Sequence, residues 1–227
     1  MATTIPIVIE AAPKRTFVSA IDWPGWSRGG RDETAAIDAL LAYGLRYAAA
    51  IDGAAALRPP TIATAFEVVE RLGGGSGTEF GIPSASAAAD LRPVDESELA
   101  RQIAILRACR DAFDAAAARA IGVSLTTGPR GGGRSLDKIV HHVVEADQAY
   151  LQQLGSRPPW WGDQEPADYG AARIRDLQLR ALEARVRGTP PPDVNAVKKL
   201  WSPRYFVRRA TWHLLDHAWE IEDRSGT

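Results

Sequence analysis

"SPRYFVRRATWHLLDHAWEIEDR", residues 202–224, carries the signals that decide the second half of the fold. Ser202 stands where a helix N-cap accepts from the first turn, and Pro203 at the first helical position forfeits no hydrogen bond. On a wheel of about 100° per residue, Phe206, Ala210, His213, His217 and Ile221 fall in one narrow seam. A seam spaced in that way faces a core, so both histidines point where leucine is expected. Side chains four apart on a helix lie one above the other, and two imidazoles so related reach one ion. The pair equally fits two core histidines, each hydrogen-bonded to a neighbour, because a buried polar group without a partner is costly.

Upstream, three further segments read as helices of similar length. "DESELARQIAILRACRDAFDAAAARA" opens with Asp95 as N-cap and Glu98 three later, a capping-box pattern. "SLDKIVHHVVEADQAYLQQLG" runs from Ser135 to a stop at Gly155, and "ADYGAARIRDLQLRALEARVRG" stops at Gly188. Four such helices predict an all-α four-helix bundle over 95–227, with long connections at 122–134 and 156–166 covering one end. The chain before them differs. "IPIVIEA" and "RTFVSAI" read as strands, and "TAFEVVERL" at 64–72 as another. "DWPGWSRGG" between Asp22 and Gly30 is dense in turn formers. A single helix is expected from about Asp32 to Ala50. The expected fold class is therefore α+β: a small sheet-plus-helix module over 1–75, a linker or covering loop over 76–94, then the bundle.

Composition excludes several classes. Hydrophobic residues make up 45% and charged residues 24%, as in ordinary globular chains and unlike disordered ones. The net charge of −1 provides no basic excess for neutralising phosphates, so nucleic acid is not an expected partner. No apolar run is long enough to span a membrane. A lone cysteine, Cys109, precludes an intramolecular disulfide, and "MATTIPIVIEAAPKR" lacks the shape of a signal peptide; a cytoplasmic protein is expected. Cys109 itself reads as a small buried hydrophobe.

The remaining histidines, His141 and His142, are adjacent on the second bundle helix. Neighbours lie about 100° apart, so one at most faces inward, and periodicity does not choose between them. Either one as a third ligand would complete a three-histidine set with open positions, the pattern of catalytic metal sites. Asp216 and Glu220 flank the C-terminal pair, and Glu145 lies one turn beyond His142. Each reads as a helix-surface charge, or as a carboxylate that orients an imidazole or acts as a base. Arg110, at the edge of its helix's apolar stripe, reads as a rim arginine or as a binder of an anionic substrate. "GPRGGGRS" (128–135) reads as a flexible connection, and "RPPWWGD" (157–163) as a cap or pocket mouth.

"HVVEADQAYLQQLG" at 142–155, followed downstream by "HLLDH" at 213–217, resembles the DinB-like (DinB/YfiT-like) superfamily. The resemblance spans about 95–224. It implies a four-helix bundle with a divalent metal ion (Zn, Ni or Fe) on His142, His213 and His217. It implies one of two activities on a small-molecule substrate: transfer using a low-molecular-weight thiol, or metal-assisted hydrolysis. "AIDWPGWSRGGRDETAAIDALLAYGLRY" resembles the HicB-like antitoxin fold through Asp22, Pro24, Gly25, Gly30, Ala35 and Ala36. It departs from that pattern at Trp23 and Trp26, and a bundle stands where a DNA-binding segment is expected. The module then reads as a lid or a homodimerisation element. A non-catalytic binding or regulatory protein with a structural or vestigial metal site is the alternative.

Overall fold

The computed structural model describes residues 4–127, 133–159, 167–197 and 199–226. It is α+β, with strands in the N-terminal part followed by helices. Strands β1 (Ile5–Ala12), β2 (Arg15–Ala20), β3 (Ser27–Gly30) and β4 (Phe66–Gly73) form one sheet in the order β3-β2-β1-β4. β1 and β2 are an antiparallel hairpin, and β3 runs antiparallel to β2. β4 is parallel to β1, which demands a crossover. Helices α1 (Glu33–Ala42) and α2 (Gly44–Ala50) provide it.

Two expectations for this half are corrected. The turn-rich "WSRGG" contains strand β3. Its glycines hide the strand signal but permit the packing: a Cβ on Gly30 would lie 2.4 Å from the Ala36 nitrogen, so α1 meets the strand backbone to backbone. The single helix expected over 32–50 is two helices broken at Tyr43. The buried Trp26 indole N–H donates to the Leu40 carbonyl at 2.9 Å, occupying the acceptor that a continuous helix would offer to Gly44. Trp26 also stacks on Tyr47, whose hydroxyl donates to the Pro24 carbonyl at 2.9 Å.

Segment 76–94, read as a linker or covering loop, holds a short helix, α3 (Ser76–Phe80), and lies over the outer face of the sheet. There Ala87 packs with Val8 and Ile21. The buried Glu10 carboxylate gathers the Thr78 hydroxyl and the backbone N–H groups of Ser84 and Ala85. The segment is thus bound down on a buried acceptor.

Four long helices follow: α4 (Glu96–Arg119), α5 (Leu136–Gln153), α6 (Ala167–Arg187) and α7 (Pro203–Ser225). The expected caps are present. Asp95 accepts from the Glu98 N–H at 2.8 Å and Ser202 from the Tyr205 N–H at 3.3 Å. None of the described helices is long and apolar enough to cross a membrane.

α7 is buried on nearly every side from Tyr205 to Ile221. α4 and α5 pack on one flank. The N-terminal part covers the other, and one hydrophobic cluster runs from Ile7, Trp26 and Leu40 to Leu106, Phe206 and Leu215. Phe17 meets Trp212 edge to face, and Tyr43 packs on Trp219. Gly25, at φ +96°, sits so close that a Cβ there would lie 2.9 Å from Thr211. Arg28 lies over the Tyr43 ring and pairs with Asp216 at 3.2 Å. Asp90, 2% exposed, holds the buried Arg208 through Nη2 at 2.6 Å and Nε at 3.1 Å.

That pair ties the covering segment to α7. Asp90→Ala strands a guanidinium in the interior, and urea unfolding should show a loss of about 3–5 kcal/mol. A loss below about 1 kcal/mol, the range of an exposed ion pair, would show that the tie is dispensable.

Candidate metal centre

α7 supplies His213 and His217, and α5 supplies His142. The three side chains converge: ring centroids lie 4.6 Å apart for His213 and His217, and 5.1 Å for each of these with His142. One nitrogen from each lies within 4.8 Å of the others. His142 Nε2 and His213 Nε2 are 3.3 Å apart. Two imidazoles bound at about 2.0–2.1 Å to a tetrahedral ion hold their nitrogens about 3.3–3.4 Å apart, so this edge already has the separation a shared ion requires.

Orientation of the third ring is set from behind. Glu220 Oε2 lies 2.8 Å from His217 Nδ1. A proton on Nδ1 donated to that carboxylate leaves the Nε2 lone pair toward the other histidines. Glu220 Oε1 accepts from Arg224 Nη1 at 2.8 Å, and Arg224 donates in turn to the carbonyls of Thr126 and Arg134. The hydrogen bond from His217, together with Arg224, holds the Glu220 carboxyl below the usual range. His213 is pushed well below the usual histidine value by burial, with His217 and Arg209 adding to it. Burial also lowers His142, with His217 next. Both imidazoles are therefore neutral at pH 7, with a lone pair free for an ion. The donor set fits a divalent cation that accepts imidazole.

An open cleft of about 980 Å³ reaches His142 between the C-terminal half of α4 and the start of α5. Phe113, Ile121, Leu136 and Val140 form its apolar wall, and Arg134 and Lys138 bring positive charge.

The other sequence-selected residues fall in different places. His141, adjacent to His142, turns outward and lies 3.3 Å from Glu145; both are exposed on the cleft rim. Glu145 therefore partners His141 and makes no hydrogen bond to His142, whereas Glu220 orients His217 directly. Asp216 faces the N-terminal part through Arg28. Arg110 is buried away from the cleft in a polar layer among α4, α5 and α6. It donates to Gln178 Oε1 and to the Arg175 carbonyl, beside Asp147. Burial lowers its pKa to about 10 and raises that of Asp147. Cys109 is fully buried, and burial raises its thiol far above the usual value, as a core hydrophobe requires. Residues 128–132 of the glycine-rich stretch and Trp160 and Trp161 lie outside the described residues.

Three residues around His213 were not selected from the sequence: Tyr150, Arg209 and Trp212. Tyr150 and Trp212 pack against its ring, with centroids 5.8 and 6.2 Å away. Arg209 precedes His213 by one helical turn. The signal was present as an arginine at i−4 on the same face, but the seam was read through its apolar members.

No family model matches the chain, and no curated protein or solved structure matches it either.

Glu220→Gln removes the charge that orients His217 but leaves all three imidazoles in place. Competition with a chelator should show metal affinity falling by about 10–100-fold. His141→Ala, on the rim, should leave affinity unchanged; an equal loss in both variants would contradict this assignment of ligands and bystander.

Proposed function

We propose that this protein is a metal-dependent enzyme of the DinB-like kind, with one divalent ion on His142, His213 and His217. The observation that carries the reading is the convergence of three imidazoles from two helices, with His142 Nε2 and His213 Nε2 at the separation that a shared tetrahedral ion requires. Three ligands leave at least one coordination position for a small molecule, whereas structural sites usually close all four. When bound, such an ion lowers the pKa of a water or a thiol and polarises a substrate oxygen. The expected chemistry is transfer using a low-molecular-weight thiol, or hydrolysis, with Zn, Ni or Fe as the ion.

The chain's own groups have separate tasks in this reading. Glu220 keeps His217 in one tautomer and one orientation, and Arg224 fixes Glu220. The cleft wall of Phe113, Leu136 and Val140 excludes water from an apolar part of the substrate. Glu145, exposed at the rim beside His141, accepts a proton leaving the cleft. The N-terminal part, a HicB-like module in this reading, serves as the buttress of α7.

Elemental analysis of the purified chain and of His217→Ala tests the proposal. About one divalent ion per chain is expected, absent from the variant, with a thermal midpoint that drops on chelation because the ion binds only the folded state. Metal-free protein that also takes up no added Zn or Ni would make the histidines core residues, and the chain a non-catalytic binding protein.

A further inference from the structure

Arg209 is 7% exposed, yet among the described residues its charge has no counter-charge. Its Nη1 is enclosed without any hydrogen-bond partner, and among the described residues no carboxylate pairs with it. The other buried arginines are served differently. Arg208 is held by Asp90 and Arg224 by Glu220, while Arg110 donates to Gln178 beside Asp147. Among the described residues Arg209 meets only ring faces: its guanidinium carbon lies 4.6 Å from the Trp212 ring centroid and 5.6 Å from that of Tyr150. Cation–π attraction offsets only part of the cost of removing a guanidinium from water.

Both polar neighbours of the guanidinium have a proton to donate. The buried Trp212 Nε1 has no acceptor. The Tyr150 hydroxyl makes no hydrogen bond among the described residues, and burial raises its pKa to about 12, so it keeps its proton. The same Tyr150 ring lies edge-on to His213, 5.8 Å between centroids. Arg209 and His213 are one turn apart on the same face of α7, a rise of about 6 Å. The unpaired cation therefore borders the three-histidine cluster.

We propose that Arg209, assisted by the Tyr150 hydroxyl, binds the carboxylate of a small carboxylic-acid substrate whose reacting end lies at the three-histidine centre. The site is new; the position of the reacting end rests on the metal reading above. One guanidinium compensates one negative charge, and its planar fork matches a carboxylate in two parallel hydrogen bonds. A phosphate dianion would bring a second charge that no other described residue here neutralises. This assigns to Arg209 the anion-binding part that the sequence offered to Arg110.

Thermal melting of the zinc-supplemented full chain in acetate, at ionic strength held constant with sodium chloride, tests the site. Acetate should raise the midpoint; chloride alone and phosphate should not. Arg209→Met should lose the acetate response, keep the metal content of the unsubstituted chain, and melt no lower without acetate, because an uncompensated charge has gone. Tyr150→Phe should weaken the acetate response by about tenfold in concentration, the effect of one hydrogen bond to a charged group. Four outcomes overturn the proposal: no response in the unsubstituted chain, an undiminished response in Arg209→Met, a phosphate response equal to that of acetate, or an Arg209→Met chain that unfolds far below the unsubstituted one, which makes the arginine structural. The same titration on metal-free His217→Ala separates the two readings. A response that persists there upholds the anion site even if no metal is ever bound, whereas a chain that binds zinc but ignores acetate refutes the anion site alone.

Discussion

α7 has almost no face left for water, and the rest of the molecule is arranged around that constraint. A helix enclosed on almost every side is stable only when its buried polar side chains, as well as its apolar ones, meet partners. α4 and α5 cover one flank; the sheet side, with Phe17, Gly25 and Tyr43, covers the other. The two parts of the chain therefore share one hydrophobic cluster. The histidines inherit their precision from this packing. Trp212 and Trp219 alternate with His213 and His217 along α7, so any roll of the helix that moved the imidazoles would also pull both indoles from their partners.

Polar groups inside this packing fall into two kinds. Some lock the assembly: Asp90 with Arg208 and Glu10 with the covering segment are each satisfied on the spot. Satisfied buried networks cost little and confine the chain to one arrangement. The second kind surrounds the histidines and is left incomplete. His142 and His213 meet nitrogen to nitrogen, and Arg209 is buried without an acceptor. Unmet polar demand beside a cluster of possible ligand atoms is one way a fold accommodates something that is not part of the chain.

The contrast between Glu220 and Glu145 shows how finely position decides role. Both lie three residues beyond a histidine that the sequence singles out. Glu220 is half-buried and bonded to His217 Nδ1 and to Arg224, whereas Glu145 is exposed and swings to His141 one turn back. A carboxylate at i+3 can turn to either side of its helix, and the neighbouring helices settle which.

By itself the sequence determined what depends on near neighbours along the chain. The caps at Asp95 and Ser202, the α+β division and the inward seam holding His213 and His217 follow from contacts three or four residues apart, and all three are present. The choice of His142 over His141 came from resemblance and not from periodicity, and the same is true of its meeting with His213 across 71 residues. Strand β3 and the break at Tyr43 were out of reach, because a glycine-rich strand has no pattern and the break depends on an indole from another element. Arg110 and Arg209 look alike in one dimension, each an arginine beside an apolar stripe. Only the tertiary structure gave one of them a partner and left the other bare, since a charge is compensated by what lies within a few ångströms in space, not by what adjoins it in the chain.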